Sequence, residues 1–218
     1  HCAVAIGHVE KWLNIEIGAT GYSEMHPVVK IDAVRYWTPT KDKSVDFADV
    51  RNYIVALRRR GFDIRLVTFD RWNSHDTMNI LENEHGIKTD TLSVAKKHYD
   101  DFLSVMYDGR LIGPNIELLK TELKELREVK GKVDHPRKGS KDLSDAVCGA
   151  IFNAVTYTPK PVNREVEVMT YADVRRRLRE EEELQRKLNP PKDDGVIRAP
   201  KPKMPPELEE YVAQARLF

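Results

Sequence analysis

Two aspartates at the start of a small, apolar segment place the strongest constraint on how this chain can fold. Asp142 and Asp145 lie three residues apart, so on a helix they would share one face. The residues that follow, up to Tyr157, repeat apolar side chains at helical spacing. This pattern predicts a core-facing helix over 142–157, and two acids that face a core need a cation beside them.

Part of this stretch also has an ordinary structural explanation. Ser140 can cap the helix, and Asp142 can interact with the positive amino-terminal end of the helix. Asp145 lies a turn further in, next to small residues, where that explanation is weaker. Both interpretations of Asp142 remain open at this point.

A third acid, Asp70, closes a predicted strand at 62–70. In α/β sheets the carboxyl ends of strands usually carry the chemistry, although Asp70 alone can also simply begin a turn. The histidines show no zinc-like spacing, and carboxylates without a His or Cys set favour Mg²⁺ or Mn²⁺. Asp70, Asp142 and Asp145 are therefore the predicted ligands of a two-metal site. Asp32, in the middle of a strand, is a much weaker candidate.

The remaining pattern predicts an α/β domain with a mixed sheet flanked by helices. Strands are predicted at 2–9, 28–37, 62–70 and 87–94, with a possible short strand at 12–17. Helices are predicted at 46–61, from after residue 74 to 86, and at 99–107, 115–130, 142–157 and 170–188, with a connection at 132–136. The domain would cover residues 1–158, and 159–218 would form a charged, Pro-rich tail with a helix near 170–188.

Composition excludes few partners. The chain has 36 Lys and Arg against 35 Asp and Glu, so no net basicity indicates nucleic acid, although local patches still can. Cys2 and Cys148 lie in apolar contexts, which suits reduced core residues better than a disulfide or a zinc site. No secretory or long apolar segment occurs, and we expect a soluble, intracellular protein with no membrane partner.

Several basic clusters are candidates for phosphate contacts. The first, Arg58 to Arg60, ends a predicted helix, where the helix dipole alone would favour it. The others are predicted as DNA-binding residues, with solvated turns or counter-charges for the aspartates as alternatives. They are Arg71, Lys96, Lys97, Arg137, Lys138 and Lys141.

From residue 66 to 157 the chain resembles the nuclease domain of tailed-bacteriophage terminase large subunits. The resemblance rests on LVTFD followed by RWNS, on YDDFLSVMYDGRL and LLKTELKEL, and most specifically on KVDHPRKGSKDLSDAVCGA. The last block is also similar to the D-x-x-D-A helix of RuvC-type resolvases, which share the ribonuclease-H-like fold.

The resemblance implies a metal-dependent endonuclease that cuts concatemeric double-stranded viral DNA. Asp70, Asp142 and Asp145 match the catalytic, metal-binding acids of that family. It also implies the portal protein, the terminase small subunit and an upstream ATPase domain of the same polypeptide as partners, in the host cytoplasm at the procapsid portal.

Two departures from the family pattern modify this expectation. Family members begin the domain with a strand that carries another aspartate, and that strand is not found here. No G-x-x-x-x-G-K-[ST] motif occurs, so the ATPase domain is not in this sequence. We therefore expect a C-terminal fragment whose metal site lacks one ligand. The alternatives are a RuvC-like junction resolvase and a non-catalytic module that docks DNA or the portal.

Overall fold

A long antiparallel hairpin is the central element of the computed structural model, which describes residues 2–18, 21–40, 44–70, 75–137, 139–161 and 168–188. Strand β1 spans Cys2–Glu16 and β2 spans Ser23–Trp37. Each strand has 15 residues, so the hairpin is about 50 Å long. The two strands predicted at 2–9 and 12–17 are therefore parts of one strand, with irregular register between Ile6 and Gly7 and between Val9 and Lys11.

The other elements alternate helices with very short strands. In chain order they are α1 (Phe47–Arg59), β3 (Val67–Phe69), α2 (His75–Asn83), β4 (Thr89–Thr91), α3 (Lys96–Tyr107), β5 (Leu111–Ile112), α4 (Glu117–Glu125), β6 (Arg127–Val129), β7 (Lys132–Asp134), α5 (Asp142–Tyr157), β8 (Val168–Met169) and α6 (Tyr171–Leu188). The predicted strands at 62–70 and 87–94 are each reduced to three residues.

The hairpin forms a mixed sheet with two short parallel strands. The order is β5-β2-β1-β8, with β5 parallel to β2 and β8 parallel to β1. Strands β3 and β4 form a separate parallel pair, and β6 and β7 form a separate antiparallel pair. The mixed α/β architecture, with a mixed sheet flanked by helices, agrees with the sequence pattern.

Helix α5 packs across the hairpin at a point where a glycine allows close approach. A Cβ on Gly7 would lie 2.9 Å from Ile31 Cδ1 and 3.9 Å from the Ala150 Cβ, so a side chain there would force its neighbours apart. The resulting core cluster contains fully buried side chains of α5 and α3, among them Ile151 and Phe102. This packing fixes the position of the helix that carries the two aspartates.

Two further clusters lie along the same hairpin. Leu13, Ile15 and Val28 pack with Met169 and Val174, next to β8 and α6. Cys2, Val4 and Trp37 pack against the cluster formed by α1, α2 and the β3–β4 pair, whose buried residues are Val50, Ile54, Val55, Leu81 and Ile87. Both cysteines are free thiols, and Cys148 is buried, as the sequence predicted.

The predicted helix at 115–130 exists but is too long, and the predicted connection at 132–136 is partly a strand. Helix α4 ends at Glu125, and the residues that follow form the β6–β7 hairpin. The reason is local: Lys130 and Gly131 both have positive φ, at 51° and 76°, which is the requirement of a two-residue hairpin turn. The tight turn therefore overrides the helical spacing of the leucines.

The chain divides into two compact units, 1–180 and 181–218. In the first unit, Thr170 and Asp173 hydrogen-bond to each other at the start of α6, and Val174 is fully buried. Residues 168–180 thus pack in the first unit, while the predicted boundary at 158 stays a prediction. In the second unit, Glu182 pairs with Arg186 and Glu183 with Lys187. Residues 189–218 lie outside the described part.

None of the helices described here is long and apolar enough to cross a lipid bilayer.

Candidate active site

The amino-terminal end of α5 is held by local hydrogen bonds. Lys141 occupies the cap position, and its carbonyl accepts hydrogen bonds from the backbone N–H of Asp145 (2.7 Å) and from Ser144 Oγ (2.9 Å). The backbone N–H of Asp142 donates to Ser140 Oγ, whose hydroxyl lies 3.0 Å from Asp142 Oδ2. The prediction that Ser140 caps the helix is therefore wrong, because Ser140 lies one residue before the cap and its partner is the first helical residue. Asp142 is exposed in the first turn, where the helix dipole favours an acid, so that part of the ordinary explanation fits.

Asp145 occupies a different environment one turn further in. The buried hydroxyl of Tyr99 donates to Asp145 Oδ1 at 2.6 Å, and Lys141 Nζ lies 3.4 Å from Asp145 Oδ2. Burial raises the pKa of Asp145, although the hydrogen bond from Tyr99 and the charge of Lys141 oppose this. Burial, together with the same hydrogen bond, also raises the pKa of Tyr99, which keeps the phenol protonated as a donor. Asp145 is thus a half-buried carboxylate that is oriented by Tyr99 and has one adjacent cation.

A buried glutamate from α4 supports this end of the helix. Glu122 is 4% exposed, and its Oε2 accepts a 2.7 Å hydrogen bond from the backbone N–H of Ser144. The first N–H groups of a helix have no partner within the helix, and a negative charge near them is favourable. Glu122 therefore acts as a cap supplied by another helix and joins α4 to α5 next to Asp145.

We expect Glu122→Leu to destabilise the fold more than Glu122→Gln does. Glutamine retains an oxygen that can accept from the Ser144 N–H, whereas leucine leaves that buried donor unsatisfied, at a cost of about 1–3 kcal/mol. Urea unfolding of both variants measures the difference. Equal unfolding midpoints would show that this hydrogen bond does not hold the start of α5.

Asp70 lies at the end of β3, and two contacts show which part of α5 that end approaches. Asn153 Nδ2 donates to Thr68 Oγ1 at 2.8 Å, whereas a Cβ on Gly149 would lie 3.4 Å from Leu92, just after β4. The carboxyl ends of the parallel β3–β4 pair therefore point toward the amino-terminal end of α5. Asp145 lies one further turn along the helix from Gly149, about 6 Å.

The strand end that carries Asp70 thus faces the same end of α5 as Asp142 and Asp145. In the ranges that the structure describes, however, no group of three or more His, Cys, Asp or Glu side chains is close enough to hold a metal ion. Burial, with a smaller effect of the negative charge of Asp142, raises the pKa of Cys2, which places Asp142 near the start of β1. The ligand assignment itself remains a prediction.

Asp32, the weaker candidate, takes part in a separate network with His8. His8 Nδ1 lies 2.6 Å from Asp32 Oδ2, and His8 Nε2 lies 2.8 Å from Glu10 Oε2. Burial disfavours protonation of His8, but these two hydrogen bonds outweigh it and raise its pKa. Asp32 is therefore engaged by the imidazole of His8.

The predicted DNA-binding cations fall into three groups. Lys96 and Lys141 are engaged with carboxylates, since Lys96 Nζ lies 3.1 Å from Asp100 and 3.4 Å from Glu128 and Lys141 pairs with Asp145. Lys97 and Arg137 are exposed. Arg71 and Lys138 lie outside the described residues.

Lys96, Lys97 and His98 form the first turn of α3. His98 is buried, and its Nδ1 accepts from the backbone N–H of Ala95 at 2.8 Å, so it caps the helix. Desolvation, with a smaller effect of the charge of Lys97, lowers the pKa of His98, which favours the neutral ring that this role requires. Lys97 therefore lies in the first turn of a helix and not in a loop.

Sequence reasoning missed Tyr99 and Glu122. Tyr99 lies 46 residues before Asp145, and Glu122 lies 22 residues before Ser144. Both lie in blocks quoted for the resemblance, YDDFLSVMYDGRL and LLKTELKEL, but the sequence does not single out either as a site residue. The one signal was a polar residue, Glu122, in the sequence between the leucines of α4, at a position that faces the core.

Comparison with known proteins adds no relative. The chain matches no protein-family model, no curated protein and no solved structure. The interpretation of the site therefore depends on its own residues and geometry.

Proposed function

We propose that the chain contains the metal-dependent endonuclease domain of a terminase-type DNA-packaging protein, with a ribonuclease-H-like fold. The observation that carries the proposal is the environment of Asp145: a half-buried carboxylate on a small apolar helix, oriented by Tyr99 and adjacent to Lys141. Perturbed carboxylates beside a strand end are typical of catalytic sites.

The donor type fits a hard divalent cation. Carboxylate oxygens from Asp70, Asp142 and Asp145 would hold Mg²⁺ or Mn²⁺, which prefer such ligands. When bound, two such ions supply an activated water and stabilise the leaving oxygen in phosphodiester hydrolysis. Tyr99 orients one oxygen of Asp145, and Lys141 balances the negative charge at the other oxygen.

Double-stranded DNA is the proposed substrate. The exposed Lys97 and Arg137 are free to contact phosphates, and Arg137 precedes α5 closely in the chain. Lys141 can contact a phosphate only by leaving Asp145, so its part in DNA binding depends on an exchange of partners. The portal protein, the small subunit and an upstream ATPase domain are proposed as partners on the resemblance alone.

Plasmid cleavage in Mn²⁺, Mg²⁺ or EDTA tests the proposal. We expect cleavage only with metal. Asp70→Asn should reduce it by at least about 100-fold, since even residues behind metal ligands typically contribute 10–100-fold. Glu117→Gln is the matched control, because Glu117 is an exposed acid on another helix.

Two other results would each support one of the alternative functions. Preferential cutting of four-way junctions over plasmid would indicate a junction resolvase. DNA binding without cleavage, with Asp70→Asn identical to the wild type, would indicate a docking module in which the acids are structural.

A further inference from the structure

A cluster of four exposed basic residues lies at the end of the β3–β4 pair opposite to Asp70. We propose that this basic corner, formed by Arg58, Arg59, Arg60 and Lys88, is a second contact surface for the phosphate backbone of double-stranded DNA. The choice of DNA rests on the proposed function, whereas the surface itself is defined by the geometry below.

Two separate elements form the basic corner. Arg58 to Arg60 end α1, and Arg58 Nη1 donates to the Gly86 carbonyl at 3.3 Å, which joins α1 to the turn after α2. Lys88 follows two residues later, and its own carbonyl accepts from the backbone N–H of Val67 at 3.0 Å. All four basic side chains are exposed. The corner is therefore a defined part of the fold.

Several acids lie close to this corner without forming ion pairs with it in the described residues. Glu82 accepts hydrogen bonds from Thr89, and Asp63 pairs with Arg65 at 2.8 Å. In the described part of the chain, no carboxylate forms an ion pair with Arg59, Arg60 or Lys88. Glu84, exposed in the turn after α2, and Asp90, exposed two residues after Lys88, are opposing charges close in sequence. The corner thus presents four exposed cationic side chains, with Glu82, Glu84 and Asp90 as neighbouring acids, on a chain whose total charge is near zero.

The helix dipole explains only part of this pattern. Basic residues at the carboxyl end of α1 are favoured by the negative end of its dipole, an effect that is confined to the last turn. Lys88 is not on α1, so the dipole does not account for its presence in the corner. Arginine also pairs with phosphate through two parallel hydrogen bonds, which makes it well suited to a nucleic-acid backbone.

The corner and Asp70 are close enough for one duplex to reach both. Because β3 and β4 are parallel, the corner lies at their amino ends and Asp70 follows their carboxyl ends. Along the strands, Asp70 lies four residues beyond the position paired with Lys88, which is about 13 Å. Phosphates on one DNA strand advance about 3.4 Å per base pair along the axis, so a duplex that lay along these strands from Asp70 would reach the corner within about four base pairs.

DNA binding in EDTA tests the corner without cleavage. Fluorescence anisotropy with a labelled duplex of about 30 base pairs would compare the wild type, Arg59→Gln/Arg60→Gln and Lys88→Gln between about 50 and 200 mM salt. We expect the double variant to bind about tenfold more weakly at 100 mM salt and to reduce the salt slope of log K by about 2. Arg65→Gln is the matched control, because Arg65 is nearby and equally exposed but paired with Asp63. Far-ultraviolet circular dichroism checks that all variants fold.

The outcomes separate the two proposals. An affinity and salt slope unchanged within twofold, or an equal loss in Arg65→Gln, would overturn the DNA-contact role of the corner even if metal-dependent cleavage is observed. A reduced slope in the double variant would support the corner even if Asp70→Asn shows that the chain is no nuclease. Displacement of DNA by polyglutamate at equal charge concentration would instead indicate an acidic protein as the partner.

Discussion

Asp145→Asn is expected to abolish metal-dependent cleavage while the protein melts at the same or a higher temperature than the wild type at pH 7. Cleavage should fall by at least about 100-fold, because asparagine lacks the charge that a divalent cation requires. Stability should be retained, because Tyr99 can donate to the amide oxygen as it does to Asp145 Oδ1. A loss of function without a loss of stability is typical of residues selected for activity.

The pH dependence of this stability difference has a definite sign. Burial raises the pKa of Asp145 in the folded state above its unfolded value, so the folded state holds the proton more tightly. The contribution of Asp145 to the free energy of unfolding is therefore fully present below the pKa of Asp145 in the unfolded chain. It is lost as the pH rises through its pKa in the folded protein. The melting temperature of Asp145→Asn, relative to the wild type, should therefore increase with pH across this window and then level off.

Asp76→Asn is the matched control, because Asp76 is also an acid in the first turn of a helix but is exposed on α2. It should cleave normally and lose only about 0.3–1 kcal/mol, the value of an acid at a helix start. Thermal melts from pH 3 to 8 and cleavage assays measure both effects. If Asp145→Asn melted at a clearly lower temperature than the wild type at pH 7, Asp145 would be a structural residue.

Phe102→Ala is expected to produce the largest loss of stability, about 3–5 kcal/mol. Phe102 is 2% exposed and packs in the cluster that joins α3 to α5 and the hairpin. Small domains are stable by only about 5–15 kcal/mol, so this variant should unfold at much lower urea concentration. The cavity would lie in the core that positions the aspartate helix.

The neighbouring residue on the same helix supplies the control. Leu103 is 40% exposed, so Leu103→Ala should cost less than about 1 kcal/mol. Urea unfolding of both variants, with the same baseline and m-value analysis, makes the comparison. Equal losses would mean that α3 does not pack on its Phe102 face.

Elements with a strong periodic signal could be predicted from the sequence. Helix α1 begins after Asp46, which caps it by accepting from the Ala48 N–H, and ends before Gly61, whose φ is 97°. Helix α5 follows the spacing of its small apolar residues to Tyr157. In both cases the local signals at the ends agree with the apolar stripe between them.

The short strands could not be delimited in this way. Between 62 and 70 the apolar pattern continues over nine residues, but only Val67–Phe69 pairs with a neighbouring strand. Pairing depends on where the partner strand lies, which a local pattern does not contain. The same holds for β5 and β8, which are two residues long and are defined only by the strands that they join.

The chemistry of the candidate site was partly visible. The aspartates and Lys141 belong to one local motif, and their pairing at 3.4 Å follows from a spacing of four residues. The features that distinguish Asp145 from Asp142 come from Tyr99 on another helix and from burial. Such contacts between distant segments arise only when the chain is folded.

The β1–β2 hairpin is shared by all three hydrophobic clusters, and this determines where the chain can be divided. Ala5 and Val29 belong to the cluster under α5, Leu13 to the one beside β8, and Val4 to the one against α1. A cut within the hairpin would therefore separate core residues that belong to these clusters. If the chain is divided into two fragments that are meant to reassemble, one of them should therefore contain the whole hairpin.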